Sequence, residues 1–308
     1  MQKVRIMALG GLDEDGKNMY VIEIDEDIFV IEAGIKYPES AQLGVEYIIP
    51  DFTYLKENSK RIKGIFITHG HDDVMSALPF LLKEIDLDIY ATALTAKYIE
   101  PYIDSRKRVK IIKRNDNITV AGHLIHSFPV MQSIADGIGL VFETDQGAII
   151  YSGEFIIDYD FTNPYFSMDI NVMSKLNNKK VLCLLSESVG ALKQGYTTPR
   201  HRISQYIEPY FEYNNIRIVM SLYSQNLYRI IEILEMAKKY KKRVYFYDKE
   251  HVKQLKIIEN LGYYKIPSGL IVEDKDFNNQ LRDIIVIVSG AGNKVFKLMN
   301  NIAIGEDS

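Results

Sequence analysis

The feature that most constrains the fold is a short apolar run, Ile65-Phe66-Ile67-Thr68, that stops at His69-Gly70-His71-Asp72-Asp73. A short run of aromatic and β-branched residues is typical of a strand buried on both faces. Because alternate side chains of an extended segment point to one side, we expect His69 and His71 to face the same point. Imidazoles suit ions such as zinc and manganese, and Asp73 adds a hard oxygen ligand. The alternative is a pair of solvated loop histidines, but the pattern favours a metal site or its remnant.

Turn signals and hydrophobic periodicity predict an α/β protein. Strands are predicted at 6–9, 19–24, 28–31, 65–68 and 181–186, hairpin turns at 25–27 and 145–147, and a helix at 76–85. Residues 90–190 alternate strand and helix signals. From residue 200 onward, strands at 216–221, 244–247 and 284–289 alternate with helices at 203–213, 227–240 and 252–261. That rhythm indicates βαβ units and a parallel sheet, and we place the boundary between two domains in the loop 194–199.

Composition narrows the classes of function. The chain has 308 residues, a formal net charge of −4 and a single cysteine, Cys183. A negative net charge argues against general adhesion to RNA, so nucleic acid is expected only at a local basic patch. One cysteine excludes thiolate zinc sites, and its apolar neighbours predict a small buried side chain. Because the N-terminus has no signal-peptide core and no apolar run is long enough to span a bilayer, we expect a cytoplasmic protein without a membrane partner.

Short motifs across the chain carry a family resemblance. They are ALGG (8–11), GKNMY (16–20), AGIKYPE (33–39), KGIFITHGH (63–71), YSGEF (151–155), LSES (185–188) and GYT (195–197). On these residues the sequence resembles the ribonuclease J family, and its less active second paralogue in particular. The resemblance implies a metallo-β-lactamase-like αββα sandwich over residues 1–195, followed by a β-CASP doubly wound parallel-sheet domain over 196–308. The C-terminal part of the family pattern is absent after Ser308, so we expect the N-terminal part of the first domain and a β-CASP domain that is cut short.

Departures from the family motif concern the metal ligands. Val74 stands in place of the last histidine of His-x-His-x-Asp-His, Gln132 replaces a later histidine, and Glu154 replaces a bridging aspartate. Glu32 and Glu187, the latter in the first β-CASP motif, are further glutamates where the family has aspartate. The resemblance therefore implies a depleted metal site made of His69, His71, Asp73 and Glu154, with Asp73 and His71 as the catalytic residues of an active form. The other histidines, His123, His126, His201 and His251, are interpreted as surface or capping residues.

Features that suggest RNA binding are weaker. Ser224, Asn226 and Arg229 match a family loop at the start of a β-CASP helix, where backbone amides favour phosphate and an arginine adds a bidentate contact. The alternative for Asn226 is a helix N-cap. Basic clusters at 106–108, 113–114, 179–180 and 238–243 are by default solvated faces. In the family, however, RNA threads between the two domains, and such channels use basic walls with aromatic platforms.

Three functions stay open on these observations. The first is a degenerate ribonuclease J paralogue in RNA processing or decay, an RNA-binding or partner subunit with weak or no metal-dependent phosphodiester hydrolysis. The second is an active metal-dependent 5′–3′ exo- and endoribonuclease with an altered site. The third is an interaction module that pairs with an active paralogue and binds no RNA. For the first function we expect no tightly bound cofactor, and at most weak binding of zinc or manganese. The expected partners are RNA and an active ribonuclease J paralogue, and the chain is expected to form a homo- or hetero-oligomer.

Overall fold

A computed structural model describes residues 1–39, 42–103, 109–158, 163–169, 171, 174, 180–195, 202–223, 225–278, 280–289 and 293–304. The chain separates into two compact units, unit 1 with residues 1–199 and unit 2 with residues 200–308. The domain boundary expected after residue 195 stays a prediction. Within the described ranges, no helix combines the length and the apolar character needed to cross a membrane.

The first sheet of unit 1 contains six strands in chain order among the described residues. They are β1 (Val4–Gly10), β2 (Met19–Ile24), β3 (Asp27–Ile31), β4 (Ile62–Ile67), β5 (Ile89–Ala91) and β6 (Val109–Ile111). The first three strands pair antiparallel, and β3 to β6 pair parallel. Because side chains alternate along a strand, Met19 and Val21 of β2 face one core while Ile22 and Ile24 face another.

The second sheet of unit 1 has five strands within the described part of the chain. They are β7 (Asn117–Val120), β8 (His123–Pro129), β9 (Ile138–Phe142), β10 (Ala148–Tyr151) and β11 (Val181–Leu185). The order is β11-β10-β9-β8-β7, and every pair is antiparallel except β10 with β11. The two sheets pack face to face, because one buried cluster joins Phe29 and Phe66 of the first sheet to Phe142 and Ile149 of the second.

Helices cover the other face of the first sheet. They are α1 (Thr53–Glu57), α2 (Asp72–Met75), α3 (Leu78–Glu84) and α4 (Ala93–Ile99), with short 3-10 turns at Ser59–Arg61 and Glu100–Tyr102. Leu55, Leu81 and Ile99 pack with Val30 and Ile65 of the sheet in one buried cluster. Since β4 is therefore covered on both faces, the loop that follows it starts from a rigid position.

Unit 2 is built on a parallel sheet. Its described strands are β12 (Arg217–Leu222), β13 (Arg243–Phe246) and β14 (Ile284–Ser289), in the order β12-β14-β13. Its described helices are α5 (Ser204–Phe211), α6 (Leu227–Lys239), α7 (Lys249–Asn260) and α8 (Asn293–Ile304), with a 3-10 turn at Asp274–Asp276. The central strand β14 is buried along its whole length. Its unbroken apolar sequence is what a strand covered on both faces requires.

The predicted α/β class, both hairpins and the parallel sheet after residue 200 are confirmed. The helix predicted at 76–85 is confirmed as α3, which begins after Ala77, where the backbone N–H of Ala77 donates to the carbonyl oxygen of Ala33 and separates α2 from α3. The alternation predicted for 90–190 was wrong over 109–151, where β6 to β10 follow one another without a helix. Cys183 was expected to be buried but is only half-buried, since β11 lies at the edge of its described sheet.

Candidate metal centre

The histidine motif occupies the loop between β4 and α2, at the carboxyl end of a buried parallel strand. Main-chain hydrogen bonds anchor this loop: the N–H of Ala33 donates to the oxygen of Val74 at 2.7 Å, and that of Asn18 to the oxygen of Asp73 at 3.0 Å. Gly34 approaches so closely that a Cβ there would lie 1.5 Å from the oxygen of Asp73. Backbone contacts therefore fix the first turn of α2, directly after the histidine loop.

Three side chains meet in front of this loop. Nε2 of His69 lies 3.1 Å from Nδ1 of His71. Oε2 of Glu154 lies 3.6 Å from that His69 nitrogen and 3.8 Å from that His71 nitrogen. Each residue offers one donor atom, and these atoms lie within 4.8 Å of one another. Burial lowers the pKa of His69, which keeps its ring in the neutral form that binds metals.

A hydroxyl group contacts the far nitrogen of each imidazole. Oγ1 of Thr68 lies 2.9 Å from Nδ1 of His69, and Oγ of Ser133 lies 3.2 Å from Nε2 of His71. When each far nitrogen donates its proton to the hydroxyl oxygen, the two nitrogens that face Glu154 keep free lone pairs. Sequence reasoning assigned no role to either hydroxyl, and the one available signal was that each residue adjoins a ligand position of the motif.

A buried carboxyl group, that of Glu32, holds Thr68 through two hydrogen bonds. Glu32 is fully buried at the end of β3 and accepts hydrogen bonds from Oγ1 of Thr68 at 2.5 Å and from its backbone N–H at 3.1 Å. Burial raises the pKa of Glu32 to about 8, although the bonds from Thr68 oppose that shift. Glu32 therefore ties the end of β3 to the end of β4, directly behind the histidine pair.

Asp73, the fourth predicted ligand, lies against Glu154 outside the three-donor cluster. Its Oδ2 accepts a hydrogen bond from Nδ2 of Asn18 at 3.2 Å. Burial, together with the charge of Glu154, raises the pKa of Asp73 to about 9. Burial would also raise the pKa of Glu154, but in the metal-free site hydrogen bonds donated by the N–H groups of the two neighbouring imidazoles outweigh it and lower that pKa below its ordinary value. At neutral pH the carboxyl pair therefore holds one proton.

The two positions at which the sequence comparison with the family predicted lost histidines, Val74 and Gln132, are buried. Val74 is 1% exposed and has no donor atom in its side chain. Gln132 is 4% exposed, and neither atom of its amide has a hydrogen-bond partner among the described residues. A buried polar group without a partner costs about 1–3 kcal/mol. Gln132 therefore sits where an ion or a water is needed to complete the structure.

Glu187 belongs to the acidic side of the same site. Its Oε2 accepts a hydrogen bond from the backbone N–H of Phe155 at 3.3 Å, one residue beyond Glu154. Partial desolvation, with the charge of Glu154, raises the pKa of Glu187. The carboxylates noted in the sequence thus cluster around the histidine loop.

The predicted RNA-binding residues lie in unit 2, at the start of α6. Oδ1 of Asn226 accepts a hydrogen bond from the backbone N–H of Arg229 at 3.0 Å, so Asn226 is the N-cap of this helix. The guanidinium of Arg229 pairs with Glu232 at 3.4 Å. Ser224 lies outside the described residues. RNA binding by these three residues stays a prediction.

The remaining histidines have structural environments. His251 was interpreted as a surface or capping residue, which was wrong for a side chain that is 1% exposed and packs on Phe246. His123 and His126 pair with Asp27 at 3.0 Å and Glu143 at 2.9 Å, respectively. His201 lies outside the described residues.

Comparison with known proteins agrees with this arrangement. The metallo-beta-lactamase superfamily model matches residues 12–150, and the ribonuclease J beta-CASP domain model matches residues 215–308. Ribonuclease J 2 of Staphylococcus aureus strain MRSA252 is 32% identical over 306 residues, which are 97% of this chain and 55% of that protein. The chain contains a metallo-beta-lactamase superfamily domain and a ribonuclease J beta-CASP domain. The predicted fold class, a metallo-β-lactamase-like domain followed by a β-CASP domain, is confirmed.

Other similar proteins show how much of this chain and of its relatives the similarity covers. Ribonuclease J 2 of Staphylococcus epidermidis is 31% identical over 97% of this chain, and the chain spans about half the length of the curated relatives it matches. A crystal structure of a protein of unknown function from Enterococcus faecalis V583 covers 96% of this chain and 79% of its own, with a TM-score of 0.66 and 12% identity. That likeness concerns the fold alone.

The match to the metallo-beta-lactamase superfamily implies a bound metal, and the clustered donors fit one ion. Donors around a tetrahedral zinc ion lie about 3.3 Å apart for bonds of ~2.0–2.1 Å. The separations here are 3.1, 3.6 and 3.8 Å. Three protein ligands would leave one coordination position open. The described residues do not fit a second ion in the same way, because Val74 offers no donor atom at the position of the family's histidine.

Proposed function

We propose that this chain is a degenerate ribonuclease J-type subunit in RNA processing or decay, which binds RNA and has weak or no metal-dependent phosphodiester hydrolysis. The observation that supports it is the donor set. His69, His71 and Glu154 offer ligand atoms at one point, whereas Val74 and Gln132 occupy positions of family imidazoles. A two-ion clamp on a phosphodiester requires donors for both ions. The similarity to proteins named ribonuclease J 2 supports the RNA-related role.

The residues of the site are better suited to binding one ion than to catalysing hydrolysis with it. A metal here would polarise a phosphoryl oxygen and lower the pKa of a bound water. His69, His71 and Glu154 would hold that metal, and Thr68 and Ser133 would keep the imidazole lone pairs turned toward it. The carboxamide of Gln132 is a weaker ligand for zinc than an imidazole. We therefore expect weak binding of zinc or manganese.

One observation favours the second candidate, an active metal-dependent exo- and endoribonuclease. Catalytic zinc sites commonly have three protein ligands and an open fourth position, and the cluster of His69, His71 and Glu154 has that form. In this alternative, Asp73 and His71 are the catalytic residues and Glu154 is a ligand. The two candidates differ in how many ions the chain retains and whether it cleaves RNA.

RNA and an active paralogue are the proposed partners. A subunit with weak hydrolysis acts on RNA decay by holding RNA, by associating with an active subunit, or by both. Co-purification with an active paralogue in the absence of RNA binding would favour the third candidate, a pure interaction module.

Elemental analysis and a ribonuclease assay on the full chain test the proposal. The purified chain is incubated with zinc or manganese, desalted and assayed with 5′-monophosphorylated RNA in added manganese. We expect fewer than about two retained ions and cleavage at background level, unchanged in a His69→Ala/His71→Ala variant. Retention of two ions per chain, or cleavage that disappears in the His71→Ala variant, would identify a working nuclease instead.

A further inference from the structure

A basic groove lies on unit 2, separate from the residues of the metal centre. It encloses about 730 Å³ between the turn that joins α6 to β13 and a loop after α7. Backbone hydrogen bonds hold the two walls side by side, from the N–H of Val244 to the oxygen of Leu270 and from the N–H of Val272 to the oxygen of Val244, both at 2.8 Å. The groove is therefore a fixed feature of this unit. Its lining residues are Lys238, Lys241, Lys242, Arg243 and 265–270.

The cations of this groove are largely unpaired. Lys242 is buried and neutralised by Asp283 at 3.0 Å, and its neighbour Lys239, outside the lining, pairs with Glu208. The other cationic side chains of the lining are exposed and form no ion pair with any described residue. They are Lys238, Lys241, Arg243 and Lys265.

No acidic residue is among the ten described residues that line the groove. The nearby carboxylates of Glu235 and Glu259 form no ion pair with a described groove cation, and instead accept hydrogen bonds from the hydroxyl of Tyr264 at 2.7 Å and from the backbone N–H of Ile266 at 2.9 Å, respectively. Unpaired cations gathered in one concavity repel each other and create a positive potential that an anion relieves. The local positive charge of the groove thus contrasts with the net charge of −4 of the whole chain.

One exposed tyrosine adjoins a lining residue of the groove, and two more lie on the helix before it in the chain. The carbonyl oxygen of Tyr213 accepts a hydrogen bond from Nζ of Lys242 at 2.6 Å, and the side chain of Tyr213 is 63% exposed. Tyr206 and Tyr210, one turn apart on α5, are 69% and 60% exposed. Cationic grooves with aromatic faces nearby are the usual surface for single-stranded nucleic acid, since the cations take phosphates and the rings take bases.

We infer that this groove binds the sugar-phosphate backbone of single-stranded RNA. Lys238, Lys241, Arg243 and Lys265 contact successive phosphates, and Tyr213 stacks on a base next to them. The inference rests on the proposed RNA-binding function and gives that function a location different from Asn226 and Arg229. Those two side chains are already used in a helix cap and an ion pair, whereas the groove residues are not.

The test compares two triple variants of the full chain. Lys238→Gln/Lys241→Gln/Lys265→Gln removes groove charges. Lys253→Gln/Lys256→Gln/Lys275→Gln removes the same charge from exposed lysines elsewhere in unit 2. Each chain is titrated into a labelled single-stranded RNA oligomer over a range of salt concentrations. The slope of log affinity against log salt should fall in magnitude by about 2 for the groove variant, which corresponds to a loss of about 100-fold at ~0.1 M salt.

The outcomes separate this inference from the proposed function. Wild-type binding that is lost in the groove variant and retained in the control supports the groove. Equal binding by all three chains overturns the groove and leaves the proposed RNA-binding function standing, whereas no binding by the wild type overturns both. Displacement of the RNA by poly-glutamate at equal charge concentration would show a site for any polyanion and would also overturn it. Relative to the wild type, the Tyr213→Ala variant should bind single-stranded RNA more weakly, with the same dependence of affinity on salt concentration.

Discussion

Thr68 and Ser133 set the geometry of the histidine pair, although neither would touch an ion. Their hydroxyls contact the far nitrogens of His69 and His71, and can accept hydrogen bonds from the ring N–H groups when the near nitrogens bind an ion. Partners of this kind commonly matter to a metal site nearly as much as the ligands do. Substitutions at these residues and at Glu32 behind them should therefore change the metal affinity and the pH dependence of the free energy of unfolding.

The Thr68→Val variant tests this support. It removes the hydroxyl that contacts His69 and keeps a side chain of similar shape. We expect zinc affinity, measured by calorimetric titration of the metal-free chain, to fall about 10- to 100-fold. Thr95→Val is the control, since Thr95 is fully buried and its hydroxyl contacts Thr92 at 3.0 Å. An equal loss of affinity in both variants would assign the effect to folding and contradict the role of Thr68.

The Glu32→Gln variant tests the proton on the buried carboxyl. In the folded chain the pKa of Glu32 is raised from 4.5 to about 8, so the unfolded chain releases this proton first as the pH rises. The stability from this group is complete below the unfolded value and is lost as the pH rises to the folded value. The glutamine keeps the neutral shape and should remove this dependence.

Urea unfolding in the presence of a chelator measures the difference. Between about pH 5 and about pH 8 the wild type should lose free energy of unfolding relative to Glu32→Gln, by an amount on the order of 5 kcal/mol. Parallel curves for the two chains would mean that Glu32 is ionised in the folded state at neutral pH.

At the scale of the element, two capping side chains begin the long helices of unit 2. Asn226 caps α6, and Asp248 caps α7 by accepting a hydrogen bond from the backbone N–H of Glu250 at 2.9 Å. Oδ2 of Asp248 also accepts a hydrogen bond from Oγ of Ser289 at 3.0 Å, which joins α7 to β14. Asn226 therefore has a structural role at a position where the sequence suggested phosphate binding.

Substitutions at Asn226 separate these roles. Asn226→Ala should lower the free energy of unfolding by about 1 kcal/mol, because the amides of the first turn lose an acceptor, whereas Asn226→Asp should preserve it. Denaturant unfolding measures both. If RNA affinity instead falls sharply in both variants, Asn226 contacts phosphate, since the aspartate would repel it.

The predictable elements were those whose signal is local. The apolar run of β14 and the turn at 145–147 suffice to place their strands, and alternation suffices to bring His69 and His71 together. Other features depend on contacts distant in sequence. The bond between Thr68 and Glu32 spans 36 residues, and the break between α2 and α3 depends on Ala33. The approach of Glu154 came from family resemblance, because no local pattern indicates it.

At the scale of the whole molecule, each unit carries a candidate site for ions of one sign. Unit 1 has the donor cluster of His69, His71 and Glu154, which suits a cation, and unit 2 has the basic groove, which suits an anion. Both features respond to ions of opposite sign, and each response is measurable in the full chain.

Zinc binding should stabilise the folded chain. An ion that binds only the folded state adds about 2.7 kcal/mol to the free energy of unfolding at a concentration of about 100 times its dissociation constant. Thermal unfolding with increasing zinc should therefore show a rising midpoint. The His69→Gln/His71→Gln variant should show none. A rise of equal size in that variant would place the ion elsewhere.

The anchoring of the histidine loop by Ala33, Asn18 and Gly34 has a consequence for position 74. Since these main-chain contacts do not involve the side chain at position 74, valine there leaves the backbone anchored. The same arrangement favours restoration of a donor: a histidine introduced at Val74 would start from a backbone that is already in place.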